Sequence, residues 1–184
     1  VLVSSGAVYG DPIVGMMEIP EEFQGTLDVS KSSSIYGEGK RQSELLFHHS
    51  EINHRIARVF SLLGPYQNLN ASFAVPDFIR QASEKGNIRL SGDGTPVRNY
   101  CYATDLTIFL FKLLLGKTEH EVYNVGCREG TATIAEVAEA ISKIFGGLEI
   151  SKPHQKEMLE TSRSRYVPKL DRMYEFYHPH IGLE

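Results

Sequence analysis

Tyr36 and Lys40 stand four residues apart in a stretch, Ile35 to Ile52, where apolar residues at 35, 45, 46 and 52 are set among charges and predict a helix. Residues four apart share one face of a helix, so the phenol and the ammonium point the same way. A cation beside a phenol favours the phenolate, the form that can take a proton from an alcohol. Ser4 and Ser5 lie at the end of the apolar run that opens the chain at Val1. A hydroxyl from Ser5 could hydrogen-bond the same substrate oxygen and hold it in place. Together these groups make a proton-transfer site for oxidising an alcohol or reducing a ketone. A tyrosine and a lysine at this spacing are a frequent coincidence, so the assignment depends on what surrounds them.

The surrounding pattern alternates short β-branched runs with longer amphipathic segments. Strands are predicted at Val1 to Ser4, Arg55 to Phe60, Ile88 to Leu90, Val97 to Tyr102, Val122 to Val125 and Leu148 to Ser151. Helices are predicted at Ile35 to Ile52, at Ser72 to Lys85 with Pro76 near its first turn, and from Thr104-Asp105, read as a cap, to Leu115. Another starts at Thr133, with Glu136 at capping-box spacing, and stops at Gly146-Gly147; a short one spans Lys169 to Tyr177. Gly10 to Ser33 and the polar stretch Lys152 to Arg165 read as loops, and Gly92 to Thr95 as a turn. Strands alternating with helices predict an α/β fold with a largely parallel sheet.

Composition narrows the function. The 184 residues are 41% hydrophobic and 23% charged, ordinary for one folded domain, with 23 acidic against 19 basic side chains. A net charge of −4 argues against nucleic-acid binding, which needs a basic face. No apolar run reaches the ~18 residues of a membrane span, and a cytoplasmic protein is expected. Cys101 and Cys127 are too few for a disulfide scaffold and have no metal-like spacing, so reduced thiols are expected; Cys127, in a loop after Gly126, is a candidate for reactivity with only Arg128 as a cationic neighbour. His48, His49, His54, His178 and His180 read as surface histidines, and no metal site is expected.

The chemistry-bearing residues recur in a series. Ser4 to Gly10, Tyr36-x-x-x-Lys40, Arg58 to Phe60 with Gly64-Pro65, Gly92 to Gly94 with Arg98 to Tyr100 and Asp105, and Tyr123 to Gly126 follow in this order. The series resembles the extended short-chain dehydrogenase/reductase family, specifically its NAD-dependent nucleotide-sugar epimerases and dehydratases. The resemblance implies the carboxy-terminal part of a Rossmann-type doubly wound parallel sheet, with a small substrate-binding α/β subdomain. Residues 1–66 would belong to the dinucleotide-binding part and 67–184 mostly to the substrate part. It further implies Tyr36 as catalytic acid/base, Lys40 as its partner and a contact to the nicotinamide ribose, and Ser5 as the assisting hydroxyl. Tyr36, Lys40 and Ser4 would face the cofactor, NAD or NADP. Arg98, Ser61 and, less firmly tied to the motif, Arg165 would face a nucleotide-sugar substrate, where a guanidinium suits a diphosphate.

Departures from the pattern refine this. The family's 4,6-dehydratases carry an acidic pair directly after the Ser/Thr position, where this chain has Gly6 and Ala7. An epimerase or simple reductase is therefore expected before a dehydratase. Ser61 replaces an asparagine common near the sugar-nucleotide phosphates. The family's glycine-rich dinucleotide turn is not found in these residues and is expected upstream of Val1, within three or four βα units of ~30 residues each. The chain alone is accordingly expected to be inactive. The Ile35 to Ile52 helix resembles half of a dimer-forming bundle, so a homodimer or other self-association is expected. A non-catalytic sugar-nucleotide-binding remnant or scaffold is the alternative reading, and a reductase of another small molecule a third.

Overall fold

The computed structural model describes residues 1–71, 73–153 and 165–182. The expected α/β fold is present, with its strands shared among three small sheets. In the first, β1 (Leu2–Ser5), β2 (Ile56–Val59) and β6 (Val122–Val125) run parallel in that order, with Ser5 beside Val59 and Val59 beside Val125. The expected strand from Arg55 to Phe60 is in fact split. The chain leaves the first sheet at Phe60 and enters the second as β3 (Ser61–Leu63), parallel to β5 (Val97–Tyr102). That second sheet also contains β7 (Thr131–Thr133), antiparallel to β5, and β9 (Arg165–Tyr166), parallel to it. The third sheet pairs β4 (Asn87–Arg89) with β8 (Glu149–Ser151).

Helix α1 (Ile35–His48) is shorter than the sequence pattern predicts. After His48 the Ser50 hydroxyl donates to the Phe47 carbonyl at 2.8 Å, satisfying an end carbonyl that a further turn would have used. Helix α2 (Ala74–Lys85) has Pro76 in its first turn, where a missing N–H costs nothing, and stops at Gly86, whose φ of +66° suits a residue without a Cβ. Ser72, its expected start, lies outside the described residues, as does most of the polar stretch from Lys152 to Arg165. Helix α4 (Ile134–Ile144) begins with the expected capping box: the Thr133 hydroxyl accepts from Glu136 N at 3.0 Å, and the Glu136 carboxylate accepts from Thr133 N at 2.7 Å.

Helix α3 (Ala103–Leu115) corrects one expectation. Asp105 does not cap it. The carboxylate is fully buried and accepts from Tyr177 Oη at 2.6 Å, His180 N at 2.9 Å and Ile181 N at 3.0 Å. It therefore anchors the segment that follows α5 (Asp171–Phe176). Leu106, Phe109 and Leu113 on the inner face of α3 pack with Tyr123, Val125, Met173 and Tyr177. A second apolar cluster joins α2 and α4 across β4 and β5 through Val75, Phe78, Ile88, Tyr100, Val137 and Ile141. Both cores are built from residues at helical or strand spacing, which is why the elements form where they do.

Candidate active site

Every strand of the first sheet runs the same way, so their carboxyl ends share one side, where open α/β sheets place ligands. Ser5 ends β1 there and starts the 3-10 turn Gly6–Tyr9, its Oγ accepting from Ala7 N at 3.1 Å. The hydroxyl proton is left for another acceptor. Helix α1 meets this turn at Gly37. A Cβ on that glycine would stand 2.5 Å from the Ala7 carbonyl oxygen, so the close approach requires a residue without a side chain. Tyr36 and Lys40 flank this contact. Tyr36 is exposed, and Lys40 Nζ lies 5.9 Å from the centroid of its ring. Lys40 is held by β1 itself, donating to the Val3 carbonyl at 3.0 Å, which leaves two of its three N–H groups for other partners. The structure thus brings Tyr36, Lys40 and Ser5 to one end of β1.

Ser4 is turned the other way, as the strand alternation requires. It is buried and donates to Glu44 Oε1 at 2.5 Å, so its hydroxyl is not offered to a cofactor as the sequence suggested. Glu44 in turn accepts from Arg58 Nη2 at 2.6 Å and from Arg58 Nε at 3.0 Å. Arg58 Nη1 donates to Tyr9 Oη at 2.8 Å and to the Glu21 carbonyl at 3.0 Å. Tyr9 Oη donates to Asn124 Oδ1 at 2.8 Å. Burial pushes the Tyr9 phenol up to about 12 although Arg58 pulls it down, so Tyr9 is a neutral structural hydroxyl rather than a rival to Tyr36. Ser4, Tyr9, Arg58 and Asn124 all belong to the motif series in the sequence, but Glu44 and Glu21, which join them, do not, because the fold and not the spacing brings them together.

Arg98 and Ser61 do come together. Both line a pocket of about 240 Å³ with Phe60, Phe73, Tyr100 and Ile134. Arg98, Phe73 and Ile134 also border a larger cleft of about 540 Å³, whose further walls include Asn70, Arg80, Gly92 and Gly94. Gly92 and Gly94 belong to a turn and to the motif series of the sequence, whereas Asn70, Phe73 and Arg80 carry no such signal. Arg165 sits on β9 beside β5, but its Nε donates to the Met17 carbonyl at 2.7 Å and it lines neither cavity. The two regions meet at Gly6, where a Cβ would fall 2.4 Å from Tyr166 Oη and 2.8 Å from the Phe60 ring. Residue 6 therefore has no room for a carboxylate.

Two other expectations change. Cys127 is buried, and burial pushes its thiol up, as it pushes Cys101 up to about 12; neither is poised as a nucleophile. His54 is not a surface histidine, since only 9% of its side chain is exposed.

Comparison with known proteins bears on this geometry. Residues 1–126 match the NAD dependent epimerase/dehydratase family. UDP-glucuronic acid decarboxylase 3 of Arabidopsis thaliana is 32% identical over 148 residues, which cover 78% of this chain and 42% of that protein. UDP-glucuronic acid decarboxylase 1 of Xenopus tropicalis is 31% identical over 155 residues, 82% of this chain and 36% of that one. The chain thus spans less than half the length of the curated relatives it matches. The crystal structure of dTDP-glucose 4,6-dehydratase from Bacillus anthracis, in complex with NAD, matches 99% of this chain and 56% of its own with a TM-score of 0.75 and 25% identity.

Proposed function

Because the chain belongs to the NAD-dependent epimerase/dehydratase family, we propose that it carries the proton-transfer and substrate-holding groups of an enzyme that oxidises and then re-reduces a nucleotide sugar. The observation that carries this reading is the Tyr36–Lys40 pair, tied to β1 through the Val3 carbonyl at the strand end that also presents Ser5. In it Tyr36 takes the proton from a sugar hydroxyl and later returns it. Lys40 places a positive charge 5.9 Å from the centre of the Tyr36 ring, and Ser5 holds the same sugar oxygen by a hydrogen bond. The two N–H groups of Lys40 not used on Val3 suit ribose hydroxyls, so the donor set fits the nicotinamide end of NAD or NADP. A nicotinamide dinucleotide, when bound, accepts a hydride and gives it back. Arg98 and Ser61 would hold the substrate from their shared pocket, with Arg98 on the diphosphate.

The closed space at Gly6 and the methyl of Ala7 leave no carboxylate where dehydration would need one, which favours epimerisation or simple reduction. Decarboxylation is a second reading, favoured by the names of the relatives. Oxidising a hydroxyl β to a sugar carboxylate gives a β-keto acid. Its carbon–carbon bond then breaks, carbon dioxide leaves, and the electron pair passes into an enolate that takes up a proton to give a ketone, which must regain the hydride before a UDP-pentose forms. Offering NAD and UDP-glucuronic acid to the full-length protein separates the readings. A UDP-pentose with carbon dioxide means decarboxylation, and an epimeric UDP-uronic acid means epimerisation. Arg98→Met should raise KM for either by roughly 10–100-fold, the worth of a charge-assisted hydrogen bond. Binding that depends on Arg98, without turnover of any nucleotide sugar, would leave only the non-catalytic alternative.

For partners, we propose self-association through α1, which exposes Ile35, Leu45 and Leu46 to solvent. Light scattering on the purified protein should give twice the chain mass; a monomer at high concentration would rule it out. Among the described residues no helix is long and apolar enough to cross a membrane.

A further inference from the structure

At the other end of the first sheet, away from Ser5 and Tyr36, three side chains from distant parts of the chain converge. His48 is the last residue of α1, His54 precedes β2, and Glu121 precedes β6. One ligand atom from each lies within 4.8 Å of the other two. His48 Nδ1 stands 3.1 Å from Glu121 Oε1, and His54 Nε2 is in direct contact with the same oxygen.

The protonation pattern makes this cluster unusual. His54 Nδ1 lies 2.8 Å from the Ile52 carbonyl, which can only accept, so Nδ1 carries the hydrogen. In the neutral ring Nε2 then holds a lone pair aimed at a carboxylate oxygen, and two electron-pair donors face each other. Nε2 is buried without a hydrogen-bond partner, on a side chain more than nine-tenths buried. A second imidazole nitrogen, from His48, points at the same oxygen. His48 can meet this oxygen with an Nδ1–H, but neutral His54 has no hydrogen left to offer it, whereas a metal cation accepts an electron pair from all three ligand atoms.

We propose that His48, His54 and Glu121 bind a divalent transition-metal ion, with zinc the best match. Two imidazoles and a carboxylate are a ligand set zinc accepts, at bonds of about 2.0–2.2 Å, with a fourth position left to water. In a tetrahedral site such bonds put ligand atoms about 3.3 Å apart, so Glu121 must draw back slightly from His54. Its side chain is 46% exposed and free to do so. The hydrogen bond from His54 Nδ1 to a backbone carbonyl is the outer-shell contact that fixes the tautomer of a metal-bound histidine. The ion would tie the end of α1 to the entry points of β2 and β6. Its distance from the proposed catalytic end makes its role structural, and its presence does not depend on the proposed reaction.

The test titrates Zn²⁺ into chelator-treated protein, followed by calorimetry and by thermal unfolding. One ion should bind per chain, and at a hundredfold excess over Kd the Tm should rise by roughly 5–10 °C. Co²⁺ in its place should give the visible absorption of a tetrahedral site. Glu121→Gln and His48→Gln alter half-exposed side chains, so both should fold, and each should weaken binding at least about tenfold. His49→Gln, on the neighbouring exposed histidine, should bind as the parent does. No saturable binding, or binding and cobalt absorption unchanged in both Glu121→Gln and His48→Gln, would overturn the proposal.

Discussion

Tyr36→Phe is expected to lower kcat of the full-length enzyme by roughly 10²–10⁴-fold, the range for losing a positioned acid–base group, while KM for the nucleotide sugar stays within a few-fold. The reasoning is local. Tyr36 is exposed on the first turn of α1, so removing its hydroxyl uncovers no buried partner and leaves no cavity. Lys40 keeps its hydrogen bond to Val3 and its place near the ring, so the helix and its ammonium stay where they are. Only the proton carrier is lost. The measurement pairs steady-state kinetics with thermal unfolding, since an unchanged Tm separates loss of chemistry from loss of fold. A variant that retains most of its rate would remove Tyr36 from the mechanism, and Lys40 and Ser5 would then need another role.

What could be read from the sequence follows from the range of each signal. Tyr36 and Lys40 are one helical turn apart, so the sequence alone puts them on one face, and the structure does the same. Thr133 with Glu136, and the strands at Val97–Tyr102 and Val122–Val125, are also local patterns, and they appear with the expected bounds. Strands β3, β7 and β9 have two or three residues each, too short to show a period of two. Asp105 resembled a cap because caps are made of such residues; its real partners, Tyr177, His180 and Ile181, come from the far end of the chain. Ser4 beside Ser5 gave no hint of which hydroxyl faces inward, since that depends on the strand register and on Glu44. Glu121 and His54 meet only because β2 and β6 pair side by side. Side chains that converge through sheet topology leave no mark in linear spacing.

The largest stability effect is expected beneath the site, at the Glu44–Arg58 pair. The two side chains are 6% and 13% exposed, and Glu44 also receives the Ser4 hydroxyl. Arg58→Met leaves a buried carboxylate with only Ser4 for company. Removing one partner of such a pair costs about 3–5 kcal/mol, because the remaining charge has lost both water and its counter-ion. For a chain of this size the Tm should fall by on the order of 10 °C. The loss should reach the chemistry too, since Glu44 lies one turn beyond Lys40 on α1 and fastens that helix to β1 through Ser4. Replacing both charges, Glu44→Leu with Arg58→Met, separates the two contributions. If the penalty is an orphaned charge, the double variant should be more stable than Arg58→Met alone, because no buried ion remains. Arg58 also donates to Tyr9 and to the Glu21 carbonyl, so the double variant should still fall short of the parent. A single variant as stable as the parent would mean that the ion pair is not what holds α1 against β1, and that the close fit at Gly37 does so without it.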